Sequence, residues 1–244
     1  MPEAAREEIL ATIRGALAKR GHTVEPRADA DRRSIGLADL EKLVEQIQAD
    51  CEQRRNDLIK QFETELTRTG GKFYRAENAQ SVCQYVKEIS SAQGARLAVG
   101  WDSPIIGESE LIPSLEQSGI EFISDTERFE PGEFIGKAIE ADIGISTVDY
   151  ALADTGSLVV LSGRGRARSV SLLPPVHVAI VKSEQIIPGL DQVFPLLRYK
   201  SRISGEDLSS AIAFITGPSR TADIEMTLVV GAHGPKQLHV ILFG

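Results

Sequence analysis

Four groups of residues in this sequence carry side chains able to do chemistry. The richest is Ile215-Thr216-Gly217-Pro218-Ser219-Arg220-Thr221-Ala222-Asp223-Ile224-Glu225. An apolar run, 211–215, enters it, and an amphipathic run, 224–230, leaves it. That order reads as a strand, a tight turn at Gly217-Pro218 and the start of a helix. Such a turn gathers free backbone N–H groups, the Ser219 and Thr221 hydroxyls and the Arg220 guanidinium, a combination that favours an anion. Asp223 and Glu225 fall in the first turn of the expected helix. There they offset its positive end, a duty that needs no substrate; Glu225 could equally move a proton. Just downstream, Gly231-Ala232-His233-Gly234-Pro235 sets His233 among small residues, an exposed acid/base candidate.

The other three groups each allow two readings. Asp154-Thr155-Gly156 sits between two apolar runs, so it is either ordinary hairpin-turn chemistry or a carboxylate and hydroxyl facing a ligand. Arg164, Arg166 and Arg168 alternate through a glycine-bearing loop, either solvated or gathered to capture an anion. His177 follows Pro174-Pro175 inside an apolar strand, either as a satisfied core histidine or as an acid/base at a strand entrance. Asp154, Glu225 and His233 are thus the proton-handling candidates. Thr155, Gly156, Arg168, Gly217, Ser219, Arg220 and Thr221 are the candidates for holding an anion. The expectation is that Asp154, Arg168, Ser219 and His233 share one cleft.

Composition narrows the classes. Of 244 residues, 42% are hydrophobic and 25% charged, as in a soluble globular protein. The net charge of −8 is uneven, and residues 151–244 form the only third with a basic surplus. That surplus suits a small anion and is too weak for nucleic acid. Two cysteines, Cys51 and Cys83, without a CxxC pair, speak against a disulfide framework and point to the cytoplasm. Nor can two cysteines alone hold an iron–sulfur cluster, which takes four ligands. No apolar run is long enough to span a bilayer, and Met1–Leu10 is too acidic for a signal peptide. There is no GxSxG elbow and no HExxH.

The elements that must position these groups follow from periodicity. Residues 3–20 read as a helix and 22–36 as a linker, and 37–244 form the main domain. Within it, Leu40, Val44, Ile47, Cys51, Leu58, Phe62 and Leu66 mark one long helix over 37–69, with Arg55 filling an apolar slot. That stripe either clamps the helix to the core or serves a partner chain, including a second copy. Gly70-Gly71 stops it. From residue 72, short strands alternate with helices: strands at 72–75, 95–101, 120–124 and 143–147, helices at 78–91 (N-cap Asn78), 108–117 and 133–141. This βαβα rhythm predicts an α/β fold with a mostly parallel sheet covered on both faces. Beyond 147 come a hairpin over 150–161, a helical turn at 169–173, a strand at 176–181, a helix over 183–197 and a terminal strand at 238–243.

Asp154-Thr155-Gly156-Ser157-Leu158, Leu172-Leu173-Pro174-Pro175-Val176-His177, Thr216 to Glu225 and Gly231 to Pro235 together resemble the LUD domain, and within it the lactate-utilisation protein C (LutC/YkgG) family. The motifs are dense over 142–244 and weaker before. The family pattern has Glu-Thr-Gly where this chain has Asp154-Thr155-Gly156, one methylene shorter. The resemblance implies a three-layer fold like the NagB/RpiA/CoA-transferase group. It implies a bacterial, cytoplasmic role in oxidising L-lactate to pyruvate, as a subunit beside two partner proteins of the A and B types. Iron–sulfur clusters are then expected on those partners, with no identifiable cofactor on this chain alone. Alternatives are a non-catalytic assembly subunit, or a transferase or isomerase acting on an acyl-CoA or sugar phosphate.

Overall fold

Short runs of β-branched and small apolar residues, each followed by an amphipathic helix, build the central sheet. The computed structural model describes residues 35–244 except 102, 126–128, 130, 210, 223–227 and 231–232. The chain divides into two units, Met1–Lys42 and Leu43–Gly244; the second holds every element discussed below, apart from the start of the first helix. In order, these elements are α1 (Leu37–Gln53), α2 (Arg55–Arg68), β1 (Lys72–Ala76), α3 (Ala79–Gln93), β2 (Leu97–Trp101), α4 (Pro104–Glu108), α5 (Leu111–Gln117), β3 (Glu121–Asp125), α6 (Pro131–Glu140) and β4 (Ile143–Thr147). Then come β5 (Tyr150–Leu152), β6 (Ser157–Leu161), α7 (Ser169–Leu172), β7 (Val176–Val181), β8 (Ile186–Ile187), α8 (Leu190–Ser204), β9 (Ile212–Ile215), β10 (Arg220–Ala222), β11 (Leu228–Val230) and β12 (Gln237–Phe243).

The main sheet runs β1-β12-β7-β4-β2-β3, every pair parallel. Its central strand, Val176-His177-Val178-Ala179-Ile180-Val181, is buried throughout, as a strand covered on both faces must be. One face presents Val176, Val178 and Ile180 to a cluster with Val82, Val86 and Ile89 of α3 and Leu111 and Leu115 of α5. The other presents Ala179 and Val181 to a larger cluster with Leu58, Phe62 and Leu66 of α2, Val170 of α7 and Val193 and Leu197 of α8. A second sheet, β8-β5-β6-β9, belongs to that larger cluster. In it the β5–β6 hairpin pairs Tyr150 with Val159, and β6 pairs antiparallel with β9. The α/β architecture, the parallel sheet and the hairpin therefore match the sequence reading. So does the Asn78 cap: Asn78 Oδ1 accepts from the Ser81 N–H at 2.9 Å, and Ser81 Oγ accepts from the Asn78 N–H at 3.1 Å.

Four local readings are corrected. The long helix is two helices, broken at Arg54 (φ −104°, ψ 15°). Beside the break, Arg55 keeps only 19% of its side chain exposed and donates to the Ser183 carbonyl at 2.8 Å, which is how a cation occupies the apolar stripe. Val44, Cys51, Leu58, Phe62 and Leu66 of that stripe are all buried in this chain's own core. The expected helix over 108–117 is α4 plus α5. These are separated at Glu110 (φ 53°), with Pro113 tolerated in the first turn of α5 where no intrahelical N–H is needed. The expected helix over 183–197 begins instead as a 3₁₀ turn, Ser183–Gln185, and strand β8; only after Pro188-Gly189 does α8 start.

The fourth correction bears on the site. Among the described residues, strands and not a helix follow the Gly217-Pro218 turn. β10 and β11 pair antiparallel there, Arg220 opposite Val230. Of the run expected to be helical, Leu228–Val230 is strand, as its β-branched Val229 and Val230 favour. Asp223 and Glu225, read as helix-end residues, lie outside the described residues.

Candidate functional site

The site is built on the carbonyl end of α2. Thr69 caps that helix, its Oγ1 donating to the Leu66 carbonyl at 2.8 Å, and the N–H of Gly70 (φ +92°) donates to the Thr67 carbonyl at 2.9 Å. Gly217 (φ +83°) presses on this cap, where a Cβ would stand 2.7 Å from the Thr69 carbonyl oxygen. Only glycine satisfies both the backbone angle and that approach. Arg220 then lies across Gly70, its Nη2 just 2.3 Å from where a Gly70 Cβ would be. The guanidinium is therefore at the negative end of the α2 dipole, which favours its charge whether or not a ligand is present.

The opposite wall is the His233 turn. The Ser219 N–H donates to the Pro235 carbonyl at 2.9 Å, and the Lys236 N–H donates to the Pro175 carbonyl at 2.8 Å. The turn is thereby fixed at the amino ends of β7 and β12. Ser157 Oγ and Thr216 Oγ1, 2.6 Å apart, tie the floor to the β5–β6 hairpin. The result is an open cleft of about 630 Å³, lined by Arg68 and Thr69, Ser171 and Leu172, 214–220, and 233–235. It holds two guanidiniums, one imidazole and the hydroxyls of Thr69, Ser171, Thr216 and Ser219. No carboxylate is among the described residues that line it. Arg68 also pairs with Glu65 at 2.6 Å, whereas Arg220 makes no ion pair among the described residues.

Gly217, Ser219, Arg220 and His233 thus come together. The Thr221 backbone continues from Arg220 in β10; Glu225 lies outside the described residues. Asp154, Thr155 and Arg168 are exposed and do not line the cleft. The Asp154 N–H donates to the Pro188 carbonyl at 3.0 Å, and its carboxylate rests against Gly189. Gly156 (φ +66°) packs so tightly on α2 that a Cβ would stand 2.2 Å from the Leu66 nitrogen. The Asp-Thr-Gly turn is therefore a docking point for a helix. Arg168 begins α7, where its carbonyl accepts from both the N–H and the Oγ of Ser171 at 3.2 Å.

The remaining motifs have their own places. His177 is wholly buried, its Nε2 2.9 Å from Ser146 Oγ, and burial pushes its imidazole down to about 4. Arg166 stands 4.5 Å over the Trp101 ring and forks onto Asp149 at 2.6 and 3.1 Å. Trp101 Nε1 donates to the Ala167 carbonyl at 3.0 Å. Asp149, Ser162, Arg166 and Lys200 line a smaller crevice of about 230 Å³ there. Sequence reasoning missed Arg68, Thr69, Ser171 and Phe214 in the main cleft and Asp149 in the smaller one. The nearest signal was Gly70-Gly71, read only as a helix stop. Among the described residues, no three His, Cys, Asp or Glu side chains gather as a metal would require, and no helix is long and apolar enough to cross a membrane.

Comparison with known proteins bears on the whole chain. A model of the LUD domain matches residues 59–243. A lactate utilization protein C of Geobacillus sp. is 31% identical over 83% of this chain and 78% of its own length. Proteins of the same name from Halalkalibacterium halodurans (43% identical, 62% of this chain) and Bacillus subtilis (44%, 45% of this chain) are also similar. The chain spans only 64% and 45% of those two relatives. A crystal structure of a DUF162 family protein from Deinococcus radiodurans shares the fold at a TM-score of 0.50 and 18% identity, covering 78% of this chain and 98% of that one. The family model and the Geobacillus relative each reach across most of the sequence, so the chain belongs to the LUD domain family, among its lactate utilization protein C members.

Proposed function

We propose that this protein serves lactate utilisation by binding a small carboxylate or an anionic cofactor in the cleft of Arg220 and His233. It acts there as a subunit beside partner proteins that carry iron–sulfur clusters. The observation that carries this is the charge of the lining: two guanidiniums and an imidazole, with no carboxylate among the described residues. Arg220 pairs with the anion, because a planar fork matches a carboxylate in a bidentate pair. The Ser219 hydroxyl is placed to donate a hydrogen bond, whereas the Thr69 hydroxyl already donates its proton to the Leu66 carbonyl. His233, exposed at the rim, is the acid/base candidate of the cleft.

Calorimetric binding of L-lactate and pyruvate, and lactate-dependent dye reduction by this protein with its A- and B-type partners, test the reading together. Arg220→Ala is expected to weaken binding at least tenfold and to slow dye reduction, with His233→Gln slowing reduction while binding persists. Unchanged binding and turnover in Arg220→Ala would remove Arg220 from the site.

A further inference from the structure

We infer that the cleft takes a ligand of nucleotide class, a flat heteroaromatic ring joined to a phosphate, and not a three-carbon acid alone. This rests on the reading of the cleft as an anion site and gives that anion a size and a second half. Volume is the first ground. Clefts of roughly 300–1,000 Å³ suit ligands of drug or cofactor size, and this one is about 630 Å³. An acid of six heavy atoms would leave most of it to water.

The second ground is how its polar and apolar groups are divided. Phe214 is 43% exposed on the edge strand β9, while Ile212, Ala213 and Ile215 beside it pack into the core. Phe214 lines the cleft together with Leu172 and Pro218, and it stacks on no other aromatic ring among the described residues. An exposed aromatic face beside guanidiniums is the pairing that stacks a base and grips its phosphate.

Calorimetry on the full chain tests this with adenosine 5′-monophosphate, flavin mononucleotide, adenosine, inorganic phosphate and L-lactate; the first two separate a purine from an isoalloxazine source. At least one nucleotide is expected to bind tenfold or more tightly than phosphate. Phe214→Ala should weaken that nucleotide about tenfold and leave phosphate unchanged, and Phe214→Tyr should retain wild-type affinity. Arg220→Gln should weaken nucleotide and phosphate alike. Unfolding curves for each variant separate lost binding from lost folding. Should phosphate or lactate bind and respond to Arg220→Gln while neither nucleotide gains from its ring, the anion reading stands and this inference is overturned. Absence of binding by every anion would overturn both.

Discussion

Gly156→Ala separates a structural Asp-Thr-Gly turn from a ligand-facing one. Gly156 has φ +66°, where a side chain costs about 1–2 kcal/mol. The new Cβ would stand 2.2 Å from the Leu66 nitrogen and 2.6 Å from both the Glu65 carbonyl carbon and the Leu66 Cα, all backbone atoms. Rotamer change cannot relieve that contact, so α2 must retreat by about 1 Å. Leu58, Phe62 and Leu66 of this helix are fully buried, and displacing such packing costs about 1–3 kcal/mol. The total is roughly 2–5 kcal/mol. At about 2–4 °C per kcal/mol for a domain of this size, the melting temperature should fall by about 4–20 °C. Circular dichroism melts read this directly. Two controls sharpen it. Thr155→Ala, at an exposed position, should stay within about 0.5 kcal/mol. Gly189→Ala should cost less than about 1.5 kcal/mol, because the atoms nearest its Cβ belong to the movable Asp154 carboxylate and its φ of −175° suits any residue. A Gly156→Ala protein that melts like wild type but has lost ligand binding would refute the packing argument and return the turn to the site.

Three further perturbations follow. His177 is held neutral in the fold, with its pKa lowered by burial from 6.5 to about 4. Above pH 6.5 neither state is protonated; below it the unfolded chain takes up a proton that the native one refuses. Stability should therefore fall by about 3 kcal/mol between pH 6.5 and 4 from this group, and His177→Gln should flatten that slope in denaturant titrations; an unaltered slope would remove His177 as its source. Trp101 is the sole tryptophan, so Arg166→Ala, which strips the cation from its face, should raise both its emission and its quenching by acrylamide, with Asp149→Asn acting in the same direction. Identical spectra would show that the stack does not hold the loop. Arg55→Met should lose about 1 kcal/mol in urea melts through the lost bond to the Ser183 carbonyl, and Arg55→Lys, which keeps a donor, should recover part of it.

The sheet was legible because its strands are continuous apolar runs bounded by helices of clear 3.6 period; Val176–Val181 and Val82, Val86 and Ile89 show the two signals side by side. The site was legible by composition and not by geometry. Gly217, Ser219, Arg220 and His233 announce themselves as turn and donor residues. Arg68 and Thr69 do not, because what brings them to the cleft is the end of a helix distant in sequence, fixed by the Gly217 contact with the Thr69 carbonyl. The described end of the expected helix after Ile224 is strand for a local reason: a short amphipathic run fits either period, and β-branched Val229 and Val230 favour the strand.

The placement of the cleft runs against the habit of open parallel sheets, which bind ligands beyond the carboxyl ends of their strands where the strand order reverses. In this sheet that point lies between β2 and β4, since β2 is flanked by β3 on one side and β4 on the other. Trp101 ends β2 there, Asp149 lies just past β4, and Arg166 bridges them. The bridge neutralises its own charge: Asp149, only 7% exposed, has both oxygens on the Arg166 fork and one also on the Leu161 N–H. Arg220, at the amino edge of β7 and β12, has a helix end beneath it and no ion pair among the described residues. A helix dipole end amounts to about half an elementary charge, whereas a carboxylate supplies a whole one. Of these two guanidiniums, the one with charge left for a ligand is therefore Arg220, whereas Arg166, one of three arginines in a loop that the sequence left as either solvated or anion-capturing, fastens the sheet's opposite end.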